Sequence, residues 1–186
     1  MCIRDRYGRY VCVDAPIGKY APINGSMYPT DASPGYYVNS TGQSSQTPCP
    51  MGKYNPNYNS ISIVDCLNAS VGHYVSTIDQ SNQTVCPAGT FQPNTGSSSC
   101  FDASVGHFVN WTFGMGQTNQ SPCPSGKYNP ENGSTSEDDC RWADRGHYVN
   151  YSLGPGQFSQ TPCPIGTYSP FDTATSLDTC LLAIPG

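Results

Sequence analysis

The chain has 186 residues, including 19 Gly, 17 Pro, 10 Cys and 13 Tyr, and its net charge is −5 with only 8 basic and 13 acidic side chains. Leu, Ile, Val and Phe supply 29 residues, which is below the roughly 20% expected of a chain with a continuous apolar core. This composition argues against one globular core, and the scarcity of basic residues argues against a nucleic-acid partner. No apolar run approaches the roughly 20 residues of a membrane helix, so no membrane insertion is predicted in this segment.

The beginning of the chain does not follow the pattern of the rest. We interpret 1–6 as a non-native scar, because these residues match nothing that occurs later. We interpret 7–14 as the end of a truncated repeat that is closed by Cys12. Its partner is then expected upstream of this chain, unless Cys2 is native and takes that role.

From residue 15 onward the sequence repeats every 17 or 20 residues. Each copy has Cys or Ala at its head, Gly three residues later and, in the first nine copies, Tyr or Phe two residues after the Gly. The glycines are Gly18, Gly35, Gly52, Gly72, Gly89, Gly106, Gly126, Gly146, Gly166 and Gly186. About ten tandem units are therefore predicted: two Ala-headed units over 15–48, alternating Cys-headed and Ala-headed units over 49–182, and a truncated unit at 183–186.

Each Cys-headed unit also ends in a cysteine, whereas that closing position holds Pro or Gln in the Ala-headed units. Because head and closing cysteines are present or absent together, we predict disulfides within units. The predicted pairs are Cys49 with Cys66, Cys86 with Cys100, Cys123 with Cys140, and Cys163 with Cys180. A competing scheme links neighbouring units instead, as Cys66–Cys86, Cys100–Cys123 and Cys140–Cys163. There is no Cys-x-x-Cys of the zinc or thioredoxin type, so an oxidising extracellular or cell-surface location is predicted.

The predicted fold is small, disulfide-rich and mainly β: an elongated rod of β-hairpin or turn units without a single globular core. Disulfides and stacking on neighbouring units would replace that core. The repeated Gly is expected to have positive φ or a close backbone contact. The following aromatic is expected to pack over the disulfide or the adjoining unit, with a sugar-binding aromatic ladder as the alternative. Short strands and turns are predicted, with no helix.

The Cys-headed segments resemble ephrin-receptor-like cysteine-rich repeats and, more distantly, growth-factor and tumour-necrosis-factor receptor modules. The similar segments are Cys49-Pro-Met-Gly-Lys-Tyr, Cys86-Pro-Ala-Gly-Thr-Phe, Cys123-Pro-Ser-Gly-Lys-Tyr and Cys163-Pro-Ile-Gly-Thr-Tyr. The resemblance implies an extracellular tandem array of small disulfide-pinned β units, and it transfers no catalytic residue. One departure is that every second unit lacks its disulfide, so the Ala-headed units are expected to need another source of stability.

Eight of the 13 asparagines begin the N-glycosylation sequon Asn-x-Ser/Thr, and we predict N-linked glycans on an ordered surface. The alternative is that duplication of a Ser-, Thr- and Asn-rich segment produced them. The sequon residues are Asn24, Asn39, Asn68, Asn82, Asn110, Asn119, Asn132 and Asn150. Three of them, Asn39, Asn110 and Asn150, occupy the same position in their units, directly after a valine.

No catalytic, cofactor or metal site is predicted. His73, His107 and His147 all lie in Gly-His-aromatic-Val segments, which could suggest a row of metal ligands. Tyr36 replaces the histidine in an equivalent unit, however, so shared ancestry of surface positions is favoured. Nucleophile-elbow, His-Glu-x-x-His and calcium-loop motifs are absent from the sequence, and an enzyme is not expected.

Two functions are compatible with these features. The first is a structural protein: an N-glycosylated rod, or a subunit of an extracellular fibril or filament whose partners are copies of itself. The alternative is the ligand-binding or adhesive stalk of a cell-surface receptor, in which units bearing Trp111 or Trp142 contact a protein ligand.

Overall fold

The computed structural model describes residues 2–4, 6, 8 and 10–183. Its chain is mainly β and is built from two-stranded antiparallel hairpins that are stabilised by disulfides. The hairpins fall into two compact units, which we call unit one (1–85 and 94–99) and unit two (86–93 and 100–186). The prediction of a small, disulfide-rich, mainly β chain is confirmed at this level.

The described residues of unit one form ten strands, each paired with its neighbour along the chain, and one 3₁₀ helix at Ile63–Asp65. The strands are β1 (Cys2–Arg4), β2 (Tyr10–Cys12), β3 (Lys19–Tyr20), β4 (Thr30–Asp31), β5 (Tyr36–Tyr37), β6 (Thr47–Pro48), β7 (Lys53–Tyr54), β8 (Leu67–Asn68), β9 (His73–Tyr74) and β10 (Thr84–Val85).

Unit two also contains ten strands in its described part, again paired as consecutive hairpins. The strands are β11 (Thr90–Phe91), β12 (Phe101–Asp102), β13 (His107–Phe108), β14 (Ser121–Pro122), β15 (Lys127–Tyr128), β16 (Arg141–Trp142), β17 (His147–Tyr148), β18 (Thr161–Pro162), β19 (Thr167–Tyr168) and β20 (Leu181–Leu182). The 3₁₀ helices are Trp111–Phe113, Glu137–Asp139, Tyr151–Leu153 and Leu177–Thr179.

The repeated Gly lies in the β-turn that starts each of the hairpins from β3 onward. In the hairpin of β7 and β8, the Lys53 N–H donates to the Pro50 carbonyl at 3.1 Å, and Gly52 is the third turn residue, with φ of 80°. A positive φ at this position is the signature of a type II turn and favours glycine. The predicted positive φ is therefore confirmed.

Five of these glycines, Gly18, Gly35, Gly52, Gly89 and Gly106, also lie against the backbone of a repeat further along the chain. A Cβ added to Gly35 would lie 2.0 Å from the Asp79 carbonyl oxygen, and one added to Gly52 would lie 2.1 Å from that of Gly96. Both contacts lie within unit one. A side chain at these positions would therefore displace backbone as well as strain the turn.

The most buried side chains lie at two positions of the repeat: the head residue and the residue directly after the aromatic. The heads from Ala15 to Ala143 are at most 1% exposed. The residue after the aromatic is Val in four Ala-headed units and Asn, Gln or Ser in the Cys-headed ones: Val38, Asn55, Val75, Gln92, Val109, Asn129, Val149 and Ser169, all at most 2% exposed.

The aromatics contribute less to this core than the sequence predicts. Phe108 is 7% exposed and clusters with Cys123 and Cys140, as expected for packing over a disulfide. Tyr168, in contrast, is 47% exposed. The expected packing of the repeat aromatic is therefore observed at Phe108, whereas about half of the Tyr168 side chain faces solvent.

Consecutive repeats within each unit are joined by backbone hydrogen bonds in one recurring register. The turn glycine donates to the residue after the next aromatic, as Gly35 does to Asn55 at 2.8 Å in unit one and Gly106 to Asn129 at 2.7 Å in unit two. A loop N–H of the next repeat then donates to the head carbonyl, as Asp79 does to Cys49 at 3.1 Å. Each repeat therefore adds strand-like bonds to the one before it.

Candidate functional site

The disulfides lie within the Cys-headed repeats. They join Cys49 to Cys66, Cys86 to Cys100, Cys123 to Cys140, and Cys163 to Cys180. This is the pairing within single repeats that the sequence predicts. The competing scheme, which links neighbouring repeats, is not observed among these eight cysteines. The Cα atoms of each pair lie 5.7 to 5.9 Å apart, within the usual range for a disulfide.

Cys12 is also disulfide-bonded, and its backbone lies opposite Cys2 in the pairing of β1 with β2. The Cys2 side chain falls outside the described residues, and so does most of the truncated unit at 183–186. The interpretation of 1–6 as a scar stays a prediction.

A glutamine takes the place of the disulfide in four of the Ala-headed repeats, those that start at Ala32, Ala69, Ala103 and Ala143. The side-chain oxygen of the closing Gln accepts a hydrogen bond from the backbone N–H of the residue that follows the head Ala. The four bonds are Ser33 to Gln46 at 2.8 Å, Ser70 to Gln83 at 2.6 Å, Ser104 to Gln120 at 2.7 Å, and Asp144 to Gln160 at 2.7 Å. We call this contact the glutamine clamp. It is a candidate for the additional source of stability that the Ala-headed repeats were expected to need.

The residue after the head determines whether a repeat can form the glutamine clamp. In the Cys-headed repeats this residue is proline, which has no N–H to donate: Pro50, Pro87, Pro124 and Pro164. The first Ala-headed repeat, whose head is Ala15, has Pro16 at this position and Pro29 at the closing position. It therefore has neither a disulfide nor a glutamine clamp. Its hairpin instead pairs Lys19 with Asp31 in an ion pair.

Buried asparagines link Cys-headed repeats to the preceding repeat. In unit two, the Asn129 amide donates to the His107 carbonyl at 3.2 Å and to the Ser134 hydroxyl at 2.7 Å, and its oxygen accepts from the Glu131 N–H at 3.1 Å. In unit one, Asn55 makes the equivalent bonds to the Tyr36 carbonyl, Ser60 and Asn57. A buried amide satisfied in this way holds its loop firmly, because losing one partner would leave a desolvated polar group.

Among the described residues with a resolved shift, two titratable side chains have altered pKa values, and both lie in unit one. The hydrogen bond from Lys19 is the main cause that lowers the pKa of Asp31 from its ordinary value of 3.8. Burial, followed by the hydrogen bond to the Asp79 carboxylate at 3.1 Å, raises the pKa of the Tyr36 hydroxyl. The contact of Lys19 with Asp31 lies within one hairpin, and the contact of Tyr36 with Asp79 joins two different repeats.

The predicted sequon residues lie at the surface. Asn24, Asn39, Asn68, Asn82, Asn119 and Asn132 are exposed, and Asn110 and Asn150 are half-buried. The last two are also the N-caps of 3₁₀ helices. All eight are thus on the outside of their unit, which a bulky sugar requires; whether sugars are attached stays a prediction.

The three histidines share one local geometry. The Nδ1 atoms of His73, His107 and His147 lie 3.1, 3.1 and 3.3 Å from the carbonyl oxygen two residues earlier. The described residues contain no cluster of three His, Cys, Asp or Glu side chains that could hold a metal ion.

No family model matches this chain, and no curated protein matches it at a significant level. The described part of the chain contains no helix of sufficient length and hydropathy to span a membrane. Several disulfides in so short a chain are typical of extracellular proteins. The resemblance to ephrin-receptor-like repeats stays an interpretation of the sequence.

Proposed function

We propose that the protein is a non-enzymatic structural segment of an extracellular or cell-surface fibre: an N-glycosylated rod that associates with copies of itself. The observation that carries this proposal is the recurring hydrogen-bond register between consecutive repeats, in which the turn glycine and head carbonyl of one repeat bond to the next. A protein with this register lengthens by adding repeats, as solenoid proteins do.

The distribution of the clamps supports a structural role. Disulfides alternate with glutamine clamps from Ala32 to Cys180, so nearly every hairpin is closed by a contact that does not depend on a large apolar core. Such a chain keeps its form where thiols are oxidised, which supports an extracellular location.

The exposed sequons support the same proposal. Sugars at Asn24, Asn68, Asn82 and Asn132 would hydrate a surface with few charges and would shield the edges of two-residue strands from uncontrolled pairing. They would also restrict contact between copies of the chain to the sugar-free faces.

The proposal is tested by small-angle X-ray scattering on the full chain secreted from a eukaryotic host. A compact domain of 186 residues would have a radius of gyration of about 16 Å. We expect a value well above this for the enzymatically deglycosylated chain, together with filaments in negative-stain images at high concentration. A radius near the compact value would contradict the rod.

The same preparation tests the receptor-stalk alternative. Trp142 is 46% exposed, and its ring lies 5.3 Å from the Lys127 ammonium in the same hairpin. Dispersed short particles that bind one protein ligand saturably, with loss of binding in Trp111→Ala or Trp142→Ala, would replace the structural proposal with the alternative.

A further inference from the structure

Two loops in unit two expose apolar side chains next to a sequon. The first begins at Asn110, and Trp111, Phe113 and Met115 are 58%, 77% and 65% exposed. The second begins at Asn150, with Tyr151, Leu153 and Phe158 at 63%, 66% and 59%. We call these the apolar loops. Exposed apolar side chains that lie this close together along the chain offer a surface that a covering group could bury.

We propose that each apolar loop is covered by the N-glycan attached to its own first residue, Asn110 or Asn150. This inference rests on the proposed function, because it requires a chain that is glycosylated. It assigns these two sugars a packing role against the protein, in contrast to the hydrating role of the sugars elsewhere.

The asparagine side chain in each loop is held in one orientation. The Asn110 oxygen accepts hydrogen bonds from the Thr112 N–H at 3.0 Å and from the Thr112 hydroxyl at 2.6 Å. Asn150 makes the same two bonds with Ser152, at 3.0 and 2.6 Å. Both bonds use the amide oxygen, so the nitrogen that would carry the sugar is not engaged by them. A sugar on that nitrogen would therefore leave the loop in a defined direction.

The backbone of each loop is held by side-chain hydrogen bonds, so the apolar side chains project from a defined backbone. The Gln117 amide donates to the carbonyls of Phe113 and Gly114 at 3.2 and 3.0 Å, and Gln157 makes the equivalent bonds to Leu153 and Gly154. A rigid aromatic or aliphatic surface suits the C–H faces of a pyranose ring, since little side-chain entropy is lost when the two pack together.

The sequon at Asn39 provides an internal comparison. It occupies the same repeat position, but its loop is three residues shorter and has Ser40 in place of the aromatic. In this loop the Gly42 N–H donates to the head carbonyl of the preceding repeat, and the Gln43 carbonyl accepts from an N–H of that repeat. Gly116 and Gln117 make the same two backbone bonds in the longer loop. The three extra residues thus add the apolar side chains without changing the docking of the repeat.

The position of the sequon favours the sugar over a protein partner as the occupant. A protein that covered Trp111 and Phe113 would have to bury the adjoining Asn110 as well, and a branched sugar on that residue would obstruct it. The sugar itself is attached at the edge of the apolar surface and needs no second molecule to reach it.

The test measures the accessibility of Trp111 in a Trp142→Phe background, where it is the remaining tryptophan. Three forms are compared: the glycosylated chain, the same chain with Asn110→Gln, and the chain with Asn39→Gln as matched control. A further sample is produced without glycans in a disulfide-forming bacterial periplasm. It keeps the Asn110 side chain as the N-cap of the 3₁₀ helix but lacks all sugar. Glycopeptide mass spectrometry establishes occupancy at each site.

We expect acrylamide quenching of Trp111 to rise by about twofold when the sugar at Asn110 is lost, because most of an exposed indole would be uncovered. The Asn39→Gln control should leave quenching unchanged, and the unglycosylated chain should match Asn110→Gln. Occupied Asn110 with equal quenching in all forms would overturn this inference but not the proposed function. A secreted chain without sugar at any sequon would overturn both.

Discussion

The side-chain oxygen of Gln83 lies 2.6 Å from the backbone nitrogen of Ser70, and the Gln83 amide lies 3.3 Å from the Ser70 hydroxyl. The equivalent positions of the following repeat are occupied by Cys100 and by Pro87, which follows Cys86. The two hairpins have the same register, since His73 lies opposite Val85 as Thr90 lies opposite Asp102. One hairpin geometry is therefore closed in two chemically different ways.

Removing the acceptor should weaken an Ala-headed repeat. We expect Gln83→Ala to lower the free energy of unfolding by about 1 kcal/mol, the usual net contribution of one hydrogen bond. Gln83→Glu keeps an acceptor for the Ser70 N–H and should remain near the original value at neutral pH. Urea denaturation followed by tyrosine fluorescence measures both. Equal destabilisation by the two variants would show that the accepting oxygen is not the important group.

A disulfide should be replaceable by a glutamine clamp only when the residue after the head can donate. We expect Cys86→Ala/Cys100→Gln to be strongly destabilised, because the 15-residue loop loses about 3 kcal/mol of chain-entropy stabilisation and Pro87 offers no N–H. Adding Pro87→Ser should restore about 1 kcal/mol. Thermal unfolding of the double and triple variants gives the comparison. No gain from the serine would contradict the account of the clamp.

The buried asparagine of a Cys-headed repeat should not tolerate the valine found in Ala-headed ones. Asn129→Val would leave the His107 carbonyl and the Ser134 hydroxyl without their donor, at a cost of about 2 kcal/mol. Both variants are compared by urea denaturation of the chain produced without glycans, in which Asn119→Ala, at an exposed position whose amide contacts Thr118, serves as control and should have little effect. A valine variant as stable as the control would mean that the amide bonds are not needed.

The ion pair of the first hairpin should make its stability depend on acidic pH. The pKa of Asp31 is lowered by Lys19, so the stabilisation is present above the ordinary value of 3.8 and is lost as pH falls through the lowered pKa. We expect Lys19→Ala to return the Asp31 pKa toward its ordinary value and to reduce this dependence. Carboxyl NMR titration measures the shift. Lys53→Ala, whose ammonium bonds to Asn68, should leave Asp31 unchanged.

The sequence could predict the turn glycines because they keep their spacing in every copy, and the disulfide pairs because the two cysteines occur together in every Cys-headed copy. The glutamine clamp was missed, although its signal is present: Gln at the closing position accompanies Ser or Asp after the head, and Cys or Pro accompanies Pro. Which repeat positions are most buried, and whether they hold polar or apolar side chains, could not be predicted from the repeat alone. Val149 and Asn129 occupy the same buried position with opposite polarity, and the amide is explained by its hydrogen bonds to His107, Ser134 and Glu131, which the sequence does not show.

Peptide mapping of the secreted, non-reduced protein tests the central claim most directly, namely that every second repeat is closed internally by its own disulfide. The account predicts linked peptides for Cys49–Cys66, Cys86–Cys100, Cys123–Cys140 and Cys163–Cys180. Free thiols at these cysteines, or links such as Cys66–Cys86 between neighbouring repeats, would contradict it.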